Sequence, residues 1–245
     1  MNAHSHQQDW EDLATVDPLW AILSDPSKRF RHWERDEFFE TGAQEIGHVI
    51  HKARRLCLPR TYERALDFGC GVGRLTRAIR PHFRECFGVD ISESMIRKAR
   101  ELNHDCKFLV NVEWNLRMFP DCYFDFVYSS LVLQHQPDRG VITGYIGELL
   151  RVLRKNGLLV FQLPSHIPWR NRLQPRRRLW ALLRSVGLRS DLLYNRLKLC
   201  PIRMNWIRQD EIVRHITRFG GLVVDIEPIQ QEGEPFVSCV YYCTT

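Results

Sequence analysis

The chain has 245 residues and a net charge of +6, and 44% of its residues are apolar and 11% aromatic. That is enough apolar material for a sizeable core, which excludes a disordered chain, and the length suits one large α/β domain with additions. No apolar run reaches the ~18 residues that a bilayer crossing needs, and residues 1–10 are polar with no signal-like segment, so a soluble, cytoplasmic protein is expected.

Residues 1–8 read as a loose polar tail. From Trp10 to Leu56 the pattern is mainly helical, with Leu13, Leu19, Trp20 and Leu23 ahead of a break at Asp25-Pro26 and a second helix over 36–56. The period then changes. Residues 65–68 form a short buried strand that runs into Gly69-Cys70-Gly71-Val72-Gly73, and Leu75, Ala78, Ile79 and Phe83 share one face of the helix that follows. Residues 86–90 read as a second strand. Ser92 suits the N-cap of a helix that turns Met95, Ile96, Ala99 and Leu102 inward. Residues 107–110 and 124–128 are the third and fourth strands. Ile142, Tyr145, Ile146, Leu149 and Leu153 mark a helix stopped by Asn156-Gly157. The fifth strand, 158–163, is apolar apart from Gln162, as in a sheet covered on both faces.

Strands alternating with helices predict an α/β fold with a Rossmann-like, doubly wound, mostly parallel sheet. A helix over 211–219 and strands over 222–226 and 236–242 complete it. The short polar loop between those last strands predicts an antiparallel edge hairpin. The expected organisation is an N-terminal helical extension (1–56) and one domain (57–245), with 165–208 as a basic insert or lid after the fifth strand.

The insert holds ten Arg and one Lys against one acid, Asp191, a local charge of +10 that leaves −4 for the rest of the chain. Its Arg176-Arg177-Arg178 run is interleaved with Trp169, Leu179-Trp180, Leu182-Leu183, Leu192-Leu193-Tyr194 and Trp206. That pattern suits an anionic or amphiphilic small-molecule acceptor or peripheral contact with a membrane surface. The eight cysteines are scattered without a C-x-x-C pair, so reduced thiols and no metal site are expected. Cys239 and Cys243 would face the same side of one strand.

The glycine turn is the most specific signal. It lets backbone N–H groups and a helix N-terminus approach a ligand closely. Nicotinamide enzymes read G-x-G-x-x-G, whereas here the spacing is Gly69-x-Gly71-x-Gly73, with Asp67 inside the preceding strand. A ligand with an amino acid head suits an acid at that place. Residues 65–75 (ALDFGCGVGRL) resemble the first motif of the class I S-adenosylmethionine-dependent methyltransferases. Asp90, seventeen residues past Gly73, resembles that family's ribose-binding acid. Residues 121–129 (DCYFDFVYS), ending in Ser129, are similar to its fourth-strand segment, and 145–163 to the block that follows.

The resemblance covers about residues 60–164 and more loosely 208–245. It implies S-adenosylmethionine as cofactor, held by Asp67, Gly69, Gly71, Gly73, Asp90 and Ser129, with Ile91 and Met95 as apolar neighbours of the adenosine. Members often place an acid just after the third strand. Here Asn111, Val112 and Glu113 stand there, and either Asn111 or Glu113 would supply the contact.

Methyl transfer gains most from alignment of the reacting atoms, and a hydroxyl acceptor also needs a general base. Two histidines lie near carboxyl ends of strands: His135 after the fourth, on the acceptor side in this family, and His166 after the fifth. The Asn/Asp-Pro-Pro-aromatic tetrad of base-directed enzymes is replaced by Ser129-Ser130-Leu131-Val132, which disfavours nucleic acid. The overall look resembles bacterial small-molecule O-methyltransferases. An RNA or protein methyltransferase using the basic insert, and a non-catalytic binding module, are the alternatives.

Overall fold

The structure is a computed structural model that describes residues 3–229 and 236–245. Its strands are β1 (Arg64–Phe68), β2 (Glu85–Asp90), β3 (Lys107–Val110), β4 (Phe124–Ser129), β5 (Leu153–His166), β6 (Leu222–Ile229) and β7 (Val237–Thr244). They form one sheet in the order β3-β2-β1-β4-β5-β7-β6. β1 to β5 run parallel to one another, and β7 is antiparallel to both β5 and β6. Strand order reverses between β1 and β4, which opens a ligand crevice beyond their carboxyl ends.

Alternate side chains go to opposite layers. Leu66, Val127, Leu159 and Phe161 pack with Ile142, Ile146 and Leu149 of α6 (Arg139–Val152) and with Ile212 and Ile216 of α10 (Gln209–Arg218). Ala65, Phe126 and Val160 pack on the other face with α3 (Arg35–Arg55) and α4 (Arg74–Ile79), through Ile46, Val49, Ile50, Leu75 and Ile79. All six residues of β4 are buried, Asp125 and Ser129 among them. Ser92 caps α5 (Glu93–Leu102), its Oγ accepting the Met95 N–H at 3.1 Å. Cys239 and Cys243 do share one core layer, and all eight cysteines are free thiols.

Two expectations need correction. The described part of the expected N-terminal tail is helical: α1 (Ala3–Val16) is followed by α2 (Pro18–Ile22). α1 docks on remote elements, and so short a polar stretch carries no local sign of that. The helix before the fifth strand ends at Val152, because Leu153 already pairs with Phe124 of β4. Asn156, with a left-handed φ of 61°, and Gly157 lie inside an irregular stretch of β5. Met1 and Asn2 of the expected tail, and the expected loop at 230–235, lie outside the described residues.

The basic insert folds into α7 (Trp169–Arg172), α8 (Pro175–Ser185) and α9 (Ser190–Asn195). Trp180, Leu193 and Tyr194 join Leu13, Ala14, Trp20, Ala21 and Phe38 in one buried cluster, so insert and N-terminal helices form a common cap. Arg184 pairs with Asp12 at 2.9 Å, and the Tyr194 hydroxyl donates to Asp17 at 2.7 Å. The Arg29 guanidinium lies 4.7 Å from the Trp20 ring and 4.4 Å from that of Tyr194. Among the described residues no helix is long and apolar enough to cross a membrane.

Candidate active site

The chain leaves β1 through three left-handed glycines, Gly69, Gly71 and Gly73, with φ of 77°, 53° and 86°. Side chains would cost strain at each. A Cβ on Gly69 would collide with Val132, and one on Gly71 with Ile22 of α2. Asp90 ends β2 beside this turn. Its Oδ2 accepts the Gly71 N–H and its Oδ1 the Ser92 N–H, each at 2.9 Å. Burial raises the pKa of its carboxyl.

Turn and acid open onto a cavity of about 700 Å³, part of it open to solvent, within the usual range for small-molecule sites. Phe68, Gly69 and Gly71 form its base. Val89, Asp90, Ile91, Met95 and Asn111 make one wall, and Ser130, Leu131, Val132, Gln136 and Tyr145 the other. His6 and Trp10 of α1 and Ala21 and Ile22 of α2 close the roof. Leu131, on this wall, takes a left-handed φ of 59°.

Six residues named from the sequence therefore converge on the cavity: Gly69, Gly71, Asp90, Ile91, Met95 and Asn111. Others do not line it. Gly73 packs against Asn103 and Phe108. Val112 is exposed. Glu113 contributes its backbone carbonyl, which accepts the Tyr145 hydroxyl at 2.8 Å. The Ser129 hydroxyl turns inward and donates to the Phe68 carbonyl at 3.1 Å, while the next residue, Ser130, lines the cavity. Asp67 lies buried beneath the turn and accepts the Thr76 hydroxyl at 2.6 Å, tying β1 to α4. Burial pushes its pKa up to about 7, against the opposing pull of Thr76 and Arg74.

The histidines are arranged differently from the expectation. His135 is buried behind Trp10, with ring centroids 5.6 Å apart, and its Nδ1 makes a short hydrogen bond to the Arg203 carbonyl. A carbonyl only accepts, so Nδ1 carries the proton and Nε2 the lone pair. Burial lowers its pKa to about 4, and it is not among the cavity-lining residues. His166 is exposed at the end of β5 beside the Trp206 ring, also outside the cavity.

The imidazole on the cavity wall is His6, between the rings of Trp10 and Trp114 at 6.5 and 5.6 Å. Burial, then Arg203 and His135, lower its pKa to about 4. It falls in the segment that reads as a loose tail. The only available signal was the His6/Trp10 pair four residues apart, which shares a face once that segment is helical.

Residues 66–161 match the family model described as a methyltransferase domain. This chain carries a class I S-adenosylmethionine-dependent methyltransferase domain. A trans-aconitate 2-methyltransferase of Enterobacter sp. is 28% identical over 138 residues, covering 55% of this chain and 52% of that protein. Another of that name, from Azoarcus sp., is 34% identical over 107 residues, covering 41% and 39%. The chain thus matches about half or less of the length of these curated relatives. The fold is shared with magnesium protoporphyrin IX methyltransferase of Synechocystis, solved with bound SAH, at a TM-score of 0.58 and 16% identity over 94% of this chain and 98% of that one. The methyltransferase domain's own geometry fits the family's cofactor. A cradle that side chains on Gly69 and Gly71 would fill stands beside a carboxylate able to accept hydroxyl protons.

Proposed function

We propose that this protein transfers a methyl group from S-adenosylmethionine to an oxygen of a small polar or anionic acceptor. One observation carries the reading: the Gly71–Asp90 pair and the His6 imidazole face the same cavity. When bound, the cofactor supplies a methyl group on a sulfonium. Asp90 accepts hydrogen bonds from ribose hydroxyls, Ile91 and Met95 cover the apolar face of the adenosine, and Asn111 offers its amide to the base edge. Gly69 and Gly71 let the backbone approach the amino acid head.

The acceptor lies under the roof of α1, against Trp10, Gln136 and Tyr145. His6 is neutral at physiological pH because its pKa is about 4, so its free nitrogen takes the proton of a hydroxyl acceptor. A carboxylate acceptor carries no proton at that pH, and alignment by the cavity walls suffices. His135 supports the wall from behind by holding the Arg203 carbonyl. The relatives named for trans-aconitate, a small carboxylate, support an acceptor of this class.

The test is transfer of labelled methyl from S-adenosylmethionine to a panel of hydroxylated and carboxylated metabolites, with RNA and protein assayed alongside. Salt-insensitive transfer to a small acceptor is expected. Transfer confined to RNA or protein, falling steeply with salt, overturns the reading.

A further inference from the structure

α8 turns apolar side chains to solvent as well as to the core. Surface helices ordinarily turn an apolar stripe to the core and a charged face to water. In α8 the inward side carries buried Trp180 and half-buried Leu183 together with Arg184, paired with Asp12 at 2.9 Å, and Arg177, bonded to Gln174 at 3.2 Å. The opposite side carries Leu179, Leu182 and, at the C-cap, Val186, at spacings of three and four residues that place them in one stripe. They are 45%, 61% and 65% exposed. Exposed Arg176 and Arg178 flank that stripe on either side.

The pattern extends beyond α8. Seven of the thirteen large apolar side chains exposed among the described residues fall within 165–208, including Trp169 at 65%. The same segment carries +10 while the rest of the chain carries −4. Apolar exposure concentrated this way marks a contact surface, and its charge selects an anionic partner.

We propose that the outward face of α8 docks the protein on the surface of an anionic phospholipid bilayer. At 11 residues the helix is roughly 16 Å long, far too short to cross and suited to lie in the interface plane. Leu179, Leu182 and Val186 enter the boundary of the acyl chains, and Arg176 and Arg178 stay level with the phosphates, their stems covering the apolar margin. Trp169 is a side chain that favours the same depth.

The test is co-sedimentation of the full chain with vesicles of pure phosphatidylcholine, or of phosphatidylcholine mixed with phosphatidylglycerol. No acceptor or cofactor is present, so the outcome is independent of methyl transfer. Binding is expected only to the mixed vesicles and should weaken with salt. Leu182→Ser with Val186→Ser should lower the partition coefficient about tenfold. Arg176→Gln with Arg178→Gln should lower it about twentyfold. All four positions are exposed, and circular dichroism melts confirm that the variants fold. Failure of the folded wild type to bind mixed vesicles overturns the proposal, as does binding that the serine pair leaves unchanged. Light scattering that shows a dimer dissolved by the serine pair, without vesicle binding, overturns it too and gives the stripe to a second copy.

Discussion

The Gly71 N–H donates to Asp90 Oδ2 across 2.9 Å, tying the turn after β1 to the acid that ends β2. The other oxygen of Asp90 accepts the Ser92 N–H at the start of α5. Two strands and a helix thus fix one carboxylate, and each oxygen keeps a lone pair for a further donor from the cavity. Preorganisation of this kind lowers the cost of ordering a site when a ligand arrives.

Asp67 should reveal itself through the pH dependence of stability. Burial raises its folded pKa to about 7, against ~3.9 in an unfolded chain. The folded state therefore binds the proton more tightly. Its contribution is fully present below the unfolded value and is lost as pH rises through about 7. Asp67→Asn keeps an oxygen for Thr76 and cannot ionise. Melting temperatures of the wild type should fall more steeply on going from weakly acidic to weakly alkaline buffer than those of the variant. Parallel curves would mean that Asp67 is ionised in the fold.

The two imidazoles make opposite predictions. His6→Gln should lower kcat on a hydroxyl acceptor by about 10²-fold or more while leaving cofactor affinity nearly unchanged. The wild-type rate should fall on the acid side near pH 4, where His6 protonates, rather than near the usual ~6.5 of histidine. The variant should lack that limb. His135→Asn should chiefly reduce stability, through its contacts with Arg203 and Trp10. Turnover lost in His135→Asn and kept in His6→Gln would return the base to His135.

What the sequence showed, and what it hid, divides along the range of the interactions. The strand at Ala65, the glycine turn, Asp90 and the Ser92 cap are set by neighbours a few residues away, and they stand where the pattern puts them. Asp67 illustrates a nearer limit, since only the packing of α4 decides that it meets Thr76 rather than the cavity. His6 and Trp10 reach the site through docking of α1 beneath the insert, more than 150 residues further along the chain. Local periodicity carries no trace of that contact. The same docking buries Trp180 and leaves Leu182 facing outward.

Trp180 is the anchor of the cap. It is 2% exposed, and its Nε1 has no hydrogen-bond partner among the described residues. Trp180→Ala should cost about 3–5 kcal/mol through lost contacts and the cavity left behind. Trp180→Phe should cost far less, because it keeps a ring and removes an unsatisfied N–H. Urea denaturation of the two variants measures the difference. Equal costs would show that the ring does not hold the cap.

The most direct measurement is calorimetric titration of the purified protein with S-adenosylmethionine. The wild type should bind. Asp90→Ala should weaken binding by about 1.5–3 kcal/mol, the loss of hydrogen bonds between an ionised group and the ligand. Gly71→Val should abolish it by filling the cradle beneath Ile22. Absence of binding to the wild type, or wild-type affinity in both variants while they remain folded, would contradict the assignment of this cavity to the cofactor.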